Sequence, residues 1–388
     1  RAPRPTVRRR RLPCPSPTLM YTSDPFSSED AVHMARAIEL ARRGLYTTDP
    51  NPRVGCVIVR EGRVIGEGWH QRAGEAHAEV IALRAAGADA RGATAYVSLE
   101  PCSHHGRTPP CSQALIEAGI QRVVAAMEDP NPRVAGSGLR QLRAAGVTTA
   151  CGLLQTEAEA LNEGFCQRMR SGRPLIRSKL AMSLDGRTAL ASGESRWITG
   201  ADARRDVHLW RARSSAIVTG IGTLLADDPQ LTARLEDADT AIVPATRIVL
   251  DSQLRCPGTV RLTETPGRCV LLTTQAVRTG TERAGMEVIT LPAGPDGRLA
   301  LDKVIDWLGE MEFNEVLFEA GATLNGALLR EDQVDEWLIY MAPVILGDGG
   351  RGLFHLPEVS RMSERYELQP LDTRQVGRDW RIRLRTRP

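Results

Sequence analysis

Residues 77–79 read His-Ala-Glu, and residues 101–111 read Pro-Cys-Ser-His-His-Gly-Arg-Thr-Pro-Pro-Cys. His77, Cys102 and Cys111 make three soft ligands, the number that leaves a tetrahedral Zn²⁺ one open position. Two thiolates neutralise the dication, and a water in the open position is made acidic near neutral pH. Glu79 stands two residues from His77, placed to take that proton and hand it to a leaving amine.

Eight residues separate the two cysteines, where the general pattern of zinc-dependent base deaminases has two. A structural zinc knuckle is the competing reading. It needs a fourth ligand from His104 or His105 and leaves Glu79 without a role.

Outward from this motif, helix and strand alternate. Ser27 and Ser28 offer caps to a helix carrying Ala31, Met34, Ala35, Ile38 and Ala41, which Gly44 ends. Val54–Val59 and Val64–Trp69 read as a hairpin across Glu61-Gly62. Then come helix Ala78–Ala86, strand Ala93–Leu99, helix Ser112–Ala118, strand Arg122–Met127, helix Leu139–Ala145 and strand Val147–Cys151. One helix is expected from about Glu157 to Met169, stopped at Ser171-Gly172-Arg173-Pro174. This is an α/β layered unit. The boundary falls at that stop, giving an Arg/Pro-rich tail over 1–19, one unit over 20–171 and a second over 172–388. The hexapeptide Asp-Pro-Asn-Pro-Arg-Val occurs twice, at 49–54 and 129–134. It reads as two Pro-braced turns or as two walls of one pocket.

In the second unit, strands are expected at Leu175–Met182, Ala216–Thr219, Arg247–Leu250, Cys269–Thr273 and Val316–Phe318. Helices are expected over Ala201–Arg213 and from Gly321 to Leu329. Glu336–Val344 and Gln375–Arg387 look like a strand pair. Glycines after strands, at Gly220, Gly222 and Gly321, let backbone N–H groups approach an anion. Neither a full Gly-x-Gly-x-x-Gly nor a Gly-Lys-Ser/Thr is present, and each glycine also reads as a plain turn.

The 388 residues exceed one ordinary core. Hydrophobic residues make up 42% and charged residues 25%, an ordinary globular balance. No apolar run approaches the ~20 residues of a membrane span. Six arginines and no acid lie in residues 1–19; without them the formal charge falls from +3 to −3. With aromatics at 4%, a basic, stacking surface for nucleic acid is not expected. Eight cysteines are too few for a disulfide scaffold, so a cytoplasmic protein is expected. Lys179 and Lys303 are the only lysines among 50 basic residues. Lys179 reads as a compact hydrogen-bond donor in a site, or as a plain strand-edge lysine.

Asn51-Pro52-Arg53-Val54-Gly55, His77-Ala78-Glu79 and Pro101–Cys111 together resemble the bifunctional pyrimidine deaminase/reductase family of riboflavin biosynthesis. The likeness extends from about Asp30 to the C-terminus. It implies a cytidine-deaminase-like three-layer α/β/α domain followed by a dihydrofolate-reductase-like α/β domain. It also implies Zn²⁺, NADPH and a phosphoribosyl-pyrimidine substrate. On this resemblance Asn51, His104 and Arg107 would bind the deaminase substrate. Ala181, Trp197, Thr223, Asp227, Ser252, Gly321, Ala322, Thr323, Leu324, Asn325, Gly326 and Ala327 would hold the cofactor. Ser195, Arg211, Leu231, Arg234 and Glu319 would hold the reductase substrate, with Arg211 and Arg234 suited to its phosphate. No reductase general acid stands out. A homo-oligomer is expected, with neither nucleic-acid nor membrane partners. The alternatives are a nucleic-acid or nucleoside zinc deaminase with an appended non-reductase domain, and a zinc-stabilised interaction module without activity.

Overall fold

The structure, a computed structural model, describes residues 26–103, 110–132, 134–237, 240–276, 283 and 285–386. Helix α1 (Ser28–Arg42) opens with a capping box, in which the Ser27 side chain accepts the Asp30 N–H and the Asp30 carboxylate accepts the Ser27 N–H. Strands β1 (Gly55–Arg60) and β2 (Arg63–Trp69) form the hairpin. There follow α2 (Ala78–Ala86), β3 (Thr94–Val97), α3 (Cys111–Glu117), β4 (Arg122–Ala125), α4 (Ser137–Ala144) and β5 (Thr148–Cys151). The sheet order is β2-β1-β3-β4-β5, with β3, β4 and β5 parallel and the β1 pairings antiparallel. Residues along β1 alternate between two helical layers. Cys56 and Ile58 pack with Ala82, Leu115 and Leu139 of α2, α3 and α4. Val57 and Val59 pack with Met34 and Ile38 of α1 on the opposite face.

The single helix expected over Glu157–Met169 is two, α5 (Gln155–Leu161) and α6 (Glu163–Ser171). They break at Asn162, whose φ and ψ are −113° and 24°. The Asn162 side chain imitates a strand partner. Its Oδ1 accepts the Arg53 N–H at 2.8 Å, and its Nδ2 donates to the Arg53 carbonyl at 3.0 Å. A buried loop thereby gains the backbone pairing it would otherwise lack.

The second half contains β6 (Leu175–Ser183), β7 (Arg187–Ala189), α7 (Ala201–Arg213), β8 (Ala216–Gly220), α8 (Ile221–Asp227), β9 (Thr246–Leu250), β10 (Cys269–Thr273) and β11 (Glu287–Thr290). It continues with α9 (Leu301–Glu310), β12 (Glu315–Glu319), α10 (Ala322–Arg330), β13 (Glu336–Ala342), β14 (Arg351–Gly352), β15 (Leu368–Val376) and β16 (Asp379–Thr386). Nine strands run in the order β11-β10-β9-β8-β12-β6-β13-β16-β15. All pairings are parallel as far as β13, and β16 and β15 join antiparallel. The stretch expected as one strand over Gln375–Arg387 contains a turn. Gly377, at φ +60°, folds β15 back onto β16. The strands β7, β11, β14 and β15 were not expected. β14 and β7 are only two and three residues long and β15 is mostly exposed, so these three show no apolar pattern, and β11 has four residues at the sheet edge. No helix among the described residues is long and apolar enough to cross a membrane.

The two sheets meet around Glu315, whose side chain is 1% exposed. Arg53 reaches it from the N-terminal half at 2.8 Å, Arg213 of α7 pairs at 2.8 Å, and Arg177 of β6 closes the ring. Burial alone would raise the Glu315 carboxyl; Arg213, Arg53 and Arg177 outweigh it and hold the group well below its ordinary value. Replacing Glu315 with Ala strands these charges. It should cost about 3–5 kcal/mol, read as a lowered denaturation midpoint. A loss below about 1 kcal/mol, the range of exposed pairs, would show that the ring is not a fastening.

Candidate active sites

His77 occupies the N-cap position of α2, and Cys111 is the first residue of α3. Cys102 lies on the loop after β3. Its sulfur accepts the Cys111 N–H at 3.3 Å, and the Ser112 N–H donates to its carbonyl at 3.1 Å. Two helix starts and one strand end thus converge. His77 Nδ1 lies 3.2 Å from Cys111 Sγ and 3.6 Å from Cys102 Sγ, and the three donor atoms all fall within 4.8 Å of one another. The hydrogen bond from Cys111, aided by His77, holds the Cys102 thiol well below its ordinary value. A nitrogen and two sulfurs fit Zn²⁺ by donor chemistry.

Glu79, in the first turn of α2, is 3% exposed. Burial, together with the nearby Cys102, pushes its carboxyl up to about 7, where a group both accepts and releases protons. Asn51 reaches the cluster through His70. Asn51 Nδ2 donates to His70 Nε2 at 3.0 Å, and the His70 ring stands edge-on to His77 at 5.3 Å. His104 and Arg107 lie outside the described residues.

Sequence reasoning missed two residues here. His70 is one, a histidine at the end of a strand with no motif around it. The other is Glu100, 4% exposed, whose carboxylate accepts four backbone N–H groups, from Asp129, Gly136, Gly138 and Leu139, at 2.8 to 3.2 Å. It ties the second hexapeptide and the start of α4 to the residue just before Pro101-Cys102. Gly138 is needed there, since a Cβ on it would stand 1.9 Å from the Pro101 carbonyl oxygen.

In the second half a cleft of about 1980 Å³ opens along the carboxyl ends of the parallel strands, the usual ligand position in open α/β sheets. Lys179, Ala181, Ser195, Trp197, Arg211, Thr223, Asp227, Leu231, Arg234, Ser252, Glu319, Gly321, Ala322, Thr323, Leu324, Asn325 and Ala327 all line it. Gly326 does not. It faces the 355 segment, and a Cβ there would stand 2.0 Å from the His355 carbonyl oxygen, so this glycine serves packing. Asn325 is fully buried, and its amide is engaged by Ser178 at 2.6 Å and by the Ala320 carbonyl at 2.8 Å.

Lys179 and Glu319 are register partners on the neighbouring strands β6 and β12. Arg211 grips Glu319 with two hydrogen bonds, 2.5 and 2.9 Å, and donates to the Thr232 carbonyl at 3.1 Å. Three of its five N–H groups are thus taken and two remain for a ligand. Burial works to raise Glu319, but Arg211 and Lys179 bring it down to about 2. Burial, with Arg211 adding, lowers Lys179 against the opposing pull of Glu319. Arg234 is exposed; its backbone N–H donates to His208 Nδ1 at 3.2 Å, and among the described residues its guanidinium has one contact, to Gln230 at 3.4 Å. Arg255 and Arg351 also line the cleft, and neither makes a side-chain hydrogen bond or ion pair among the described residues. Nothing marked them out in a chain with 48 arginines among its 50 basic residues.

Two family models match the chain. The RibD C-terminal domain covers residues 174–382, and the cytidine and deoxycytidylate deaminase zinc-binding region covers 27–127. The chain is 51% identical over 362 residues to the riboflavin biosynthesis protein RibD of Escherichia coli, covering 90% of this chain and 98% of that one. It is 46% identical to RibD of Haemophilus influenzae, over 92% of this chain and 97% of that protein. Among solved structures, Acinetobacter baumannii RibD superposes with a TM-score of 0.87 at 44% identity, covering 93% of this chain and 99% of the other. A diaminohydroxyphosphoribosylaminopyrimidine deaminase/5-amino-6-(5-phosphoribosylamino)uracil reductase from Thermotoga maritima gives 0.83 at 33% identity, over 92% and 99%. The halves accordingly have the cytidine-deaminase-like and dihydrofolate-reductase-like folds that the resemblance implied. With both halves matched almost end to end, the chain belongs to the RibD family and is a bifunctional riboflavin-biosynthesis enzyme, deaminase first and reductase second.

Proposed function

We propose that the N-terminal site hydrolytically deaminates 2,5-diamino-6-ribosylamino-4(3H)-pyrimidinone 5′-phosphate. The C-terminal cleft then reduces the ribosyl group of the product to ribityl with NADPH. What carries the reading is the presence, in one chain, of a His-Cys-Cys cluster beside a buried acid and of a cleft large enough for a dinucleotide and a second ligand. When bound at these sites, zinc would supply polarisation of a water and NADPH would supply hydride.

In deamination, a C–NH₂ bond and one water become C=O and ammonia. His77, Cys102 and Cys111 would hold the zinc. Glu79 takes a proton from the water on a carboxylate oxygen and returns it to the amine nitrogen as the C–N bond breaks. Asn51, held by His70, orients the pyrimidine. In the reductase cleft, Lys179 offers its ammonium to a pyrimidine carbonyl, Glu319 and Arg211 fix the floor, and Arg234 meets the phosphate. Ser252 Oγ accepts the Leu299 N–H at 3.0 Å, which leaves its hydroxyl proton for the cofactor. Gly321 opens α10 with room beside Thr223, the nearest atom to a Cβ there being 3.8 Å away. In this reading the substrate is a small phosphoribosyl-pyrimidine.

Three outcomes test the reading. Metal analysis should find one Zn²⁺ per chain, lost when Cys102→Ser and Cys111→Ser are combined; unchanged zinc would sink the ligand set. Glu79→Gln keeps shape but removes the proton carrier. Deamination should fall by about 10²–10⁴-fold with zinc retained and reduction of supplied product intact, whereas near-normal deamination would refute the assignment. Arg234→Ala should raise the KM for the phosphorylated reductase substrate by about 10- to 150-fold, the worth of a charge-assisted hydrogen bond, and leave NADPH binding alone. Equal damage with the dephosphorylated analogue would make Arg234 structural.

A further inference from the structure

The two copies of Asp-Pro-Asn-Pro-Arg-Val provide a comparison within the molecule. In the second copy the aspartate closes its own turn, with Asp129 Oδ1 accepting the Asn131 N–H at 2.8 Å. In the first copy the Asn51 N–H goes instead to the Thr48 carbonyl at 2.8 Å. Asp49 Oδ1 turns away and accepts from Ser215 Oγ and Asn314 Nδ2, both at 2.9 Å. Those donors belong to the other half, Ser215 just before β8 and Asn314 just before β12.

Asn314 does more than this. Its Nδ2 also donates to the Pro50 carbonyl at 2.9 Å, and its Oδ1 accepts Arg168 Nε at 2.8 Å. It is 5% exposed, so these bonds have little competition from water. At the far end of the same loop, Arg53 is held by Glu315. The segment 49–53 is therefore gripped at both ends by the C-terminal sheet, and Asn51 lies between the grips with its amide on His70.

We propose that Asn314 is a positioning residue for deamination: a side chain of the reductase half sets the loop that presents Asn51 to the deaminase site. This rests on the role given to Asn51 above. Identical sequence takes two anchoring patterns, so the loop's shape comes from what grips it. Asn314 and Ser215 stand at the amino ends of β12 and β8, whereas the cleft lies at the carboxyl ends. Loosening the grip should therefore leave reduction untouched.

The test uses the full-length zinc enzyme, with each half-reaction assayed on its own supplied substrate. Asn314→Ala should lower deaminase kcat/KM by about 10- to 100-fold, the scale for a displaced orienting group. Zinc content and reductase kinetics should stay at wild-type values. Asp49→Ala, on the loop side of the contact, should do the same, and it carries the test where Asn314→Ala fails to fold. The double variant should be little worse than either alone. Deamination within twofold of wild type, an equal fall in both activities, or single effects that multiply in the double variant would each overturn the proposal. Asn51→Ala separates the underlying reading, because normal deamination by that variant removes the role of Asn51 whatever Asn314 does.

Discussion

A carboxylate shut away from water must be surrounded or protonated. Glu315 is surrounded, by guanidiniums from the N-terminal half, from β6 and from α7. The cost of burying such charges is recovered only when all partners are in place. Arg177 meets the same condition from its side, pairing also with Glu336 and Glu163 and lying 5.2 Å from the centre of the Trp210 ring. Arg213, Arg381 and Arg383 lie against that ring at 5.1 to 5.5 Å. Guanidinium suits this crowding, because its planar fork pairs and its face stacks. Arg53 and Glu163 of the N-terminal half thus complete a charge network whose other members belong to the C-terminal half.

That joint gives the halves different freedoms. The reductase cleft opens at the carboxyl ends of its strands, far along β12 from the joint, and its floor residues Lys179 and Glu319 sit on strands hydrogen-bonded to each other. The deaminase cluster stands on two helix starts, and the Cys111 N–H at one of them holds the Cys102 sulfur. Its surrounding loops are fastened by remote groups, Glu100 on one side and the C-terminal sheet on the other. Rigid elements carry the chemistry, and long-range contacts fix what surrounds it.

Legibility in the sequence follows this division. That His77, Cys102 and Cys111 come together beside a buried Glu79 was readable, because a metal-type motif fixes residue types at defined spacing. Most helices and core strands were readable because burial imposes a period of 3.6 or 2. The break at Asn162 was not, since its cause is the backbone of Arg53, 109 residues away. Glu100 looks like any acid at a strand end until its four N–H partners are seen. The roles of Glu315 and Asn314 depend on elements separated by more than 250 residues, a distance at which composition and periodicity are silent. Gly326 was placed on the cofactor by the family resemblance of its segment, although a Cβ there would meet the His355 carbonyl rather than the cleft.

Strand β12 begins at Glu315, in the joint, and ends at Glu319, in the cleft. Four residues of extended chain measure about 13 Å, and an even separation keeps both side chains on one face. This strand is therefore a fixed-length spacer with a function at each tip. Substitutions at Val316 to Phe318 trade one apolar side chain for another, but gaining or losing a single residue would turn one tip to the wrong face. Across descendants of this gene, the interval between the two glutamates should tolerate drift in letters and none in length.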